Sequence, residues 1–577
     1  MALLVLAFSF GAEALRYPLV IGQQYFTNID ILEFLIIGLW LIYRGLSFLE
    51  TERWRNPSLG LTLAIGFWLA TLWISTFVLS AHREQAFYFD GRILRGVVLA
   101  RITFDLTHNN ERWKTVISSM ALGGIAVYIL GLAEAAKIPA IFNWLQDIRG
   151  ASIYAGELLR LSSTLSYPNI AAIIIEVTLF PLLAWAVVTR RVWLRIFLGI
   201  GALAGIIALI LTFSRGGIIA FALSLLVCIG LLLYFYRHRI ERRVILVGGM
   251  AVTAILVFAA AVLILTNPTI ALRFITEDDQ SWYQVAFSVE SQTTARPGET
   301  VSIPVTVTNM GQRVWQAFGD QAIHLSYHLL RIYPDIRQGI QYEGLRTELP
   351  HDLAPGQSVT VTATVATPPA AADYVIQWDM VQEKVVWFSA KTGLNANTNL
   401  SLNGDTVYNS VFFEWDLFND VPPQLSPGRL TLWRIGLQLF QTHPLLGVGP
   451  DNFRRVYGTY LGVSRWSTDI HANNMYIEWL ADTGLLGFAA FLVMSFVLAY
   501  TGWHSLKQHF GDPLWLWQLA LIGGLIAWYL HGFVDFFYEF MPANTAFWLL
   551  VGLMVSATVA FKNPFDNIAK ESIEQLL

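Results

Sequence analysis

Polar residues recur at four places where long apolar stretches of this 577-residue chain end. Three of them contain an arginine: Arg160 in RLSSTLSYPN, Arg215 in SRGG and Arg429 in RLTLWRIGLQLFQ. The fourth, DIHANNMYIEWLADTGLLG, contains His471. A guanidinium group is permanently charged and binds phosphate oxygens in a bidentate manner, whereas a histidine can remove a proton from a hydroxyl near neutral pH. These residue types predict an anion site with a titratable group beside it.

Each of these residues also has a structural interpretation. An arginine at a helix end can extend toward lipid headgroups, and Arg434 could replace Arg429 as the phosphate ligand. The two glycines after Arg215 favour a functional role there, because they leave the backbone open to close approach. A histidine such as His471 is, taken alone, more often an ordinary loop residue.

Further polar residues are expected near the same site. His531 and Asp535 are four residues apart, which predicts that they share one face of a helix and orient the catalytic residue, bind the acceptor or only stabilise the helix. The remaining candidates for substrate binding are Asn169, Asn473, Asn474 and Glu478. We predict no metal and no cofactor, since no cluster of cysteine or histidine has metal-ligand spacing.

The elements that must position these residues are membrane helices. The chain is 55% apolar and only 14% charged, which is too apolar for a soluble protein, and its net charge of -4 argues against nucleic acid as a partner. A helix needs roughly 20 apolar residues to cross about 30 Å of hydrocarbon. Good candidate spans are 29–44, 57–80, 115–136, 165–189, 196–213, 217–236, 244–266, 485–503, 513–533 and 545–561, with 2–14 and 84–107 as weaker ones.

Arginine clusters in short loops indicate the orientation of these spans. Arg190, Arg191 and Arg195 form one such cluster, and similar clusters follow the second and eighth spans. Because basic loops stay in the cytoplasm, we expect about twelve spans with both termini inside. The segments on the extracytoplasmic side of the inner (plasma) membrane are then 137–164, 214–217 and 267–484.

A small β domain is predicted inside the large outer loop. Stretches such as TVSIPVTVTN and SVTVTATVAT alternate apolar and polar residues over strand lengths, and RPGE and APGQ are typical turns. The predicted fold is therefore a mainly α membrane helix bundle with an inserted, immunoglobulin-like β sandwich. Its expected parts are a membrane core of nine spans (1–266), a linker (267–281), the β module (282–392), a linker (393–427), a helical outer loop (428–484), three last spans (485–561) and a cytoplasmic tail (562–577).

At the four polar stretches the sequence resembles the O-antigen ligase and polymerase family, the membrane glycan transferases that share the Wzy-C region. The stretches that carry the resemblance are RLSSTLSYPN, SRGG, RLTLWRIGLQLFQTHPLLGVGPDNF and NNMYIEWLADTGLLG, in that order. The resemblance covers roughly 29–266 and 428–561 and implies a GT-C-like bundle.

What the resemblance implies is a metal-independent transferase that moves a glycan from a polyprenyl diphosphate carrier to an acceptor hydroxyl with inversion. Arg160, Arg215 and Arg429 would bind the diphosphate, and a histidine would act as general base. Members usually have that histidine directly before the asparagine that begins the motif NLYLQ, where this chain has Asn473. The base is then His471, two residues earlier, or Glu478; we favour His471 because a solvated glutamate is a weak base at neutral pH. Asn473 itself would cap the helix or bind the acceptor.

Several other functions are compatible with the same features. The acceptor is a glycan, a lipid or a protein, so a protein O-oligosaccharyltransferase is an alternative within the family. A transporter of lipid-linked glycans is the alternative from another class, but the sequence has no internal repeat. A receptor that works through its β module would leave the polar stretches without a role. The expected partners are the lipid-linked donor, the acceptor and membrane lipid.

Overall fold

A computed structural model describes residues 1–15, 18–21, 24–49, 56–149, 153–155, 158–237, 279–319, 322–332, 337–341, 344–383, 386–392, 395–402, 429–460, 467–512 and 514–560. The predicted span at 244–266 and the cytoplasmic tail fall outside these residues.

The described chain is mainly helical. The helices before the β region are α1 (Ala2–Ser9), α2 (Asn28–Leu49), α3 (Leu59–Val78), α4 (Arg83–Leu106), α5 (Asn110–Ala135), α6 (Pro139–Arg149), α7 (Pro168–Val188), α8 (Val192–Leu211) and α9 (Arg215–Tyr236). Those from the β region onward are α10 (Ser389–Thr392), α11 (Arg429–Thr442), α12 (Phe453–Tyr460), α13 (Met475–Gln508), α14 (Trp515–His531) and α15 (Met541–Ala560). Two short hairpins, β1 (Leu19–Ile21) with β2 (Gln24–Phe26) and β3 (Ile153–Ala155) with β4 (Leu158–Arg160), lie between helices.

Within the described residues, seven helices are long and apolar enough to cross a membrane: α3, α5, α7, α8, α9, α13 and α15. Helices also form at the predicted spans 29–44, 84–107 and 513–533. The predicted first span, 2–14, contains only the eight-residue helix α1. At a rise of about 1.5 Å per residue, a helix of this length covers less than half of the hydrocarbon layer.

The burial pattern separates a central layer of helices from a lipid-facing layer. Almost all of α15 and most of α7 are buried among other helices. Helix α8 instead exposes Ile196, Ile200, Leu203 and Ile207, which recur at helical spacing and therefore form one apolar stripe. A helix with a continuous exposed apolar stripe is suited to contact with lipid.

The β region contains two sheets. One is a three-stranded sheet of β5 (Val285–Val289), β7 (Thr300–Asn309) and β11 (Ser358–Ala366). The strands of the other, seven-stranded sheet are β6 (Gln292–Thr294), β8 (Ile323–Ile332), β9 (Arg337–Gln341), β10 (Thr347–Glu348), β12 (Asp373–Gln382), β13 (Val386–Trp387) and β14 (Ala396–Ser401). All the pairings are antiparallel except that of β14 with β6.

One hydrophobic cluster is shared by the two sheets. Val305 and Val307 of β7 belong to it together with Tyr327 of β8 and Trp378 of β12. The alternation of apolar and polar residues that predicted strands thus marks the buried face of the three-stranded sheet, whereas β12 of the other sheet is buried along almost its whole length. The last strand, β14, lies beyond the predicted end of the module at residue 392 and pairs with β12.

Candidate active site

The loop between α14 and α15 is the centre of the site. Helix α14 ends at His531, and the aromatic side chains of Phe536, Phe537 and Tyr538 in the loop are buried. These anchors fix the neighbouring acidic residues Asp535 and Glu539. The prediction that His531 and Asp535 share a helical face is wrong, because the helix ends before Asp535 is reached.

His471 is held between two carboxylates. Its Nδ1 bonds to Glu478 of α13, and its Nε2 bonds to Glu539 of the central loop. The second carboxylate oxygen of Glu478 accepts a hydrogen bond of 2.9 Å from the backbone N–H of Ala472. The imidazole ring also stacks on Phe536, with 5.0 Å between ring centroids. We name this group of His471, Glu478 and Glu539 the histidine cluster.

Arg454 of α12 joins the histidine cluster to a further acid. Its guanidinium donates two hydrogen bonds to Asp451, of 2.7 and 2.6 Å, which is the bidentate geometry. The same guanidinium lies 2.8 Å from Glu539 and donates to the backbone oxygen of Thr468 at 2.9 Å. Arg454 therefore holds the Glu539 carboxylate oxygen that does not face His471.

The charges in this group reinforce one another. Burial tends to lower the pKa of His471, but the carboxylates of Glu478 and Glu539 raise it well above its ordinary value. Burial tends to raise the pKa of Glu539, but His471 and Arg454 hold it below its usual range. Both ring nitrogens of His471 are thus engaged by carboxylates, which favour its charged form.

The start of α13 positions Glu478 by helix capping. The side chain of Asn474 accepts hydrogen bonds of 3.0 Å from the backbone N–H groups of Tyr476 and Ile477, and it donates one of 2.9 Å to the backbone oxygen of Phe533. The helix N-cap is thus Asn474, and the alternative that assigned this role to Asn473 is wrong. Asn473 lies just before the helix with a φ of 50°.

A break in α13 completes this half of the site. Gly484 has a φ of 61° and a ψ of -164°, values that side chains rarely allow. The stretch 443–449 packs at the break, where Gly449 N–H donates to the Asp482 backbone oxygen at 2.8 Å and Leu485 N–H donates to that of Pro444 at 2.8 Å. The Asp482 carboxylate accepts 2.8 Å hydrogen bonds from the backbone N–H groups of Asp451 and Phe453. The Pro- and Gly-containing loop is thus a structural turn that places Asp451.

Three predicted residues, Arg160, Asn169 and Asp535, are linked by hydrogen bonds. Arg160, which is buried at the end of β4, donates to Asn169 at 3.1 Å, and Asn169 donates to the Asp535 carboxylate at 2.6 Å. Arg160 also donates to the backbone oxygen of Thr212 at 3.1 Å. Burial raises the pKa of Asp535, while the charges of Arg429 and His471 act in the opposite direction. The charge of Asp535 therefore interacts both with the histidine cluster, through His471, and with the predicted diphosphate ligand Arg429.

The two remaining predicted arginines lie at helix starts. Arg429 opens the described part of α11, and its charge acts on both His531 and Asp535. Arg215 is the first residue of α9 and is half-buried. Arg434, the alternative phosphate ligand, lies on the exposed side of α11.

His531 is in a second buried hydrogen-bonded group. Its Nδ1 lies 2.8 Å from a carboxylate oxygen of Glu176 in α7, and its Nε2 lies 3.4 Å from the hydroxyl of Ser214. Ser214 is the N-cap of α9, where its hydroxyl accepts a hydrogen bond of 3.3 Å from the backbone N–H of Gly217.

Sequence reasoning missed several residues of these groups. No role was predicted for Asp451, Arg454 or Glu539. None was predicted for Glu176 either, which lies in the middle of an apolar span. A charged residue within a span is a signal of function, and that signal was available for Glu176.

Three residues of the site have the donor atoms of a metal ligand set. The ligand atoms of Asp451, His471 and Glu539 lie within 4.8 Å of one another. The guanidinium of Arg454 already pairs with two of these residues. The chain itself therefore places a positive charge, the Arg454 guanidinium, beside these carboxylates. That the protein works without a metal stays a prediction.

Comparison with known families adds an independent finding. Residues 385–492 match the Wzy_C family model, which describes O-antigen ligases. The match includes Arg429, Asp451, Arg454, His471 and Glu478, and it confirms the resemblance inferred from the motifs. It supports a membrane glycan transferase of the O-antigen ligase or polymerase type. A search of curated proteins found no match to the chain.

Proposed function

We propose that this chain, which carries an O-antigen ligase region, transfers a glycan from a polyprenyl diphosphate carrier to an acceptor hydroxyl without a metal. The observation that carries the proposal is the arrangement around Asp535. Asn169, to which Arg160 donates a hydrogen bond, donates to Asp535, and the charges of Arg429 and His471 also act on this carboxylate. Cationic groups for a diphosphate and proton-transfer groups for a hydroxyl thus adjoin one acidic loop.

The proposed role of the arginines is to bind the leaving diphosphate. Arg160, Arg215 and Arg429 carry permanent charge, and charge develops on the diphosphate oxygen as its bond to the sugar breaks. Asn169 holds Arg160, so the guanidinium is fixed before the donor arrives. Asn473, Asn474 and His531 are proposed to line the acceptor side. The general base is His471 or Glu478, as predicted from the sequence.

The proposed membrane arrangement follows the predictions from the sequence. It has the predicted spans from 29–44 onward in the inner (plasma) membrane, with the large loop outside, whereas α1 is too short to be one of them. The shared hydrophobic cluster of the two sheets supports a β sandwich in that loop. The proposed domain boundaries are those predicted above, except that the β module also includes β14, and the proposed acceptor is a glycan, a lipid or a protein.

The test is release of the carrier diphosphate by purified protein in lipid, with EDTA present. We expect wild type to turn over, and we expect Arg429→Ala, Arg215→Ala and His471→Ala to lose about 100-fold or more of kcat. Arg434→Ala is the matched control, since this arginine lies on the same helix as Arg429 with its side chain exposed. Full activity in Arg429→Ala, or loss of wild-type activity with EDTA, contradicts the proposal.

A further inference from the structure

We propose that Glu134 and Arg149 are positioning residues, which fix the turn 162–165 and, through it, the hydrogen bonds of Arg160 and Asn169. This inference rests on the proposed function, in which Arg160 binds the leaving diphosphate. It gives a role to the two serines in the stretch RLSSTLSYPN, for which the sequence alone indicated none. We name Glu134 and Arg149 the turn clamp.

The turn lies between two residues of the proposed site. The backbone N–H of Leu165 donates to the backbone oxygen of Ser162 at 3.1 Å, which closes a four-residue turn. Arg160 stands two residues before this turn, at the end of β4, and Asn169 stands four residues after it, in the first turn of α7. A shift of the turn therefore moves the backbone from which both side chains start.

Glu134 binds the turn from the last part of α5. Its Oε2 accepts hydrogen bonds from the backbone N–H groups of Ser162, at 3.2 Å, and of Ser163, at 2.7 Å. Its Oε1 pairs with the guanidinium of Arg149, the last residue of α6. One oxygen of the carboxylate thus holds the turn, and the other holds the second member of the clamp.

Arg149 binds the same turn through a carbonyl group. Its Nε donates to the backbone oxygen of Ser163 at 2.7 Å, so the N–H of Ser163 faces Glu134 and its C=O faces Arg149. Ser163 has a φ of 54°, a conformation that residues other than glycine adopt only rarely. Such a conformation persists where the surrounding structure imposes it. The clamp supplies this constraint at both polar groups of the residue.

The two charges of the clamp depend on each other because both are buried. The side chain of Arg149 is 1% exposed and that of Glu134 is 0% exposed. Burial lowers the pKa of Arg149 and Glu134 raises it, and a guanidinium remains charged in proteins. Loss of one charge would leave the other buried without its counter-charge, so we expect the turn to shift in a variant that lacks either.

A shift of the turn would reach the proposed site through Arg160. Its Nε donates to the backbone oxygen of Thr212 at 3.1 Å and its Nη2 to Asn169 at 3.1 Å, and Asn169 donates to Asp535 at 2.6 Å. These bonds hold the guanidinium in one place before the donor arrives. A misplacement of about 1 Å in a group that binds the reacting part of a substrate costs about 100-fold in rate.

The decisive experiment is a double-mutant cycle in the diphosphate-release assay. Glu134→Gln keeps the size of the side chain but removes its charge, and we expect kcat/KM for the donor to fall about 10- to 100-fold. Arg160→Lys keeps a positive charge, so its activity stays measurable, but lysine lacks the fork of N–H groups that binds Thr212 and Asn169. In the Arg160→Lys background we expect Glu134→Gln to lower kcat/KM by less than about threefold, because the clamp acts through the guanidinium.

The matched control is Asp105→Asn. Asp105 is also a buried carboxylate that pairs with arginines, Arg44 at 2.7 Å and Arg101 at 3.1 Å, but it lies at the end of α4 that is predicted to face the cytoplasm. We expect its kcat/KM to stay within about threefold of wild type. A second comparison uses Arg149→Met and Arg149→Lys. Lysine retains the charge beside Glu134, so we expect it to lose about tenfold less of kcat/KM than methionine does.

The inference is overturned if Glu134→Gln causes equal losses in the wild-type and Arg160→Lys backgrounds, because its role is then general packing. An unchanged kcat/KM in Glu134→Gln, or an equal loss in Asp105→Asn, also overturns it. If Glu134→Gln does not fold, the two Arg149 variants decide, and equal losses in them overturn the inference. These outcomes leave the proposed function standing. Failure of wild type to release any diphosphate instead overturns the proposed function, and the role of the clamp with it.

Discussion

Among single residues, Asp535 connects the two halves of the site. It accepts a hydrogen bond from Asn169, and the next residue, Phe536, stacks on His471. A buried carboxylate in this position combines two effects, because it orders the cations around it and it is costly to ionise.

Asp535→Asn should therefore make the protein more stable and less active. Burial raises the pKa of Asp535 in the folded protein, so folding disfavours its ionised form at every pH above its unfolded pKa of about 4. We expect the variant to have the higher Tm at pH 7, with the difference vanishing as the pH falls to about 4. We expect kcat to fall by about tenfold or more. Glu111→Gln, at an exposed carboxylate, should change neither quantity; a lower Tm for Asp535→Asn at pH 7 would contradict the argument.

At the level of secondary structure, the break in α13 supports the geometry of the site. The helix begins at Asn474, which places Glu478, and it is interrupted at Gly484 so that the stretch 443–449 can pack there. That stretch in turn leads to Asp451, which holds Arg454. The glycine thus acts on the histidine cluster from a distance.

Gly484→Ala should destabilise this region strongly. The new Cβ would lie 2.4 Å from the carbonyl carbon of Leu445, and the backbone there has a φ of 61°. We expect a loss of about 3 kcal/mol or more in folding stability and loss of diphosphate release. The control is Gly199→Ala in α8, where the added Cβ has no heavy atom within 4 Å. Thermal unfolding in detergent measures both variants, and similar Tm values for the two would refute the role of the break.

The seven-stranded sheet offers a test of electrostatics away from the membrane. Glu383 lies 2.7 Å from Arg346 and 3.1 Å from His324. Burial tends to raise the pKa of Glu383, but Arg346 and His324 lower it below its ordinary value.

Arg346→Met should weaken the sheet more at neutral pH than near pH 4, because its ion pair with Glu383 depends on pH whereas its hydrogen bonds to Ser326 and Gly344 do not. A lowered folded pKa stabilises the fold above the unfolded pKa of about 4.3, and this stabilisation is lost as the pH falls through the folded value. Amide hydrogen exchange, corrected for intrinsic rates, should show less protection in β8 and β12 at pH 7 and a smaller difference from wild type near pH 4. Arg296→Met, at an exposed side chain, is the control. A difference that grows toward pH 4 would exclude this ion-pair explanation.

For the whole molecule, the main prediction is which side of the membrane each loop faces. The lone cysteine, Cys228, is buried, so a Cys228→Ser background allows single cysteines to be placed at will. With a membrane-impermeant maleimide on intact cells, we expect Glu299→Cys in the β region to be labelled. Arg191→Cys, in an exposed basic loop, should be labelled only after permeabilisation. Labelling of both from outside would reverse the proposed orientation of the core.

The sequence by itself determined the class of the protein and the positions of most helices and strands. Hydropathy and alternation are local properties, so they locate α7, α9 and β7 without knowledge of their neighbours. The motifs also identified the family that the comparison then matched over residues 385–492.

Only the tertiary structure decided which side chains meet. Glu539 reaches His471 across 68 residues of sequence, and Glu176 reaches His531 across 355. Neither pairing has a sequence signal, because helix packing brings together residues that no local period relates. The structure also moved the N-cap from Asn473 to Asn474 and separated His531 from Asp535, since cap geometry and a helix end depend on where the backbone hydrogen bonds stop.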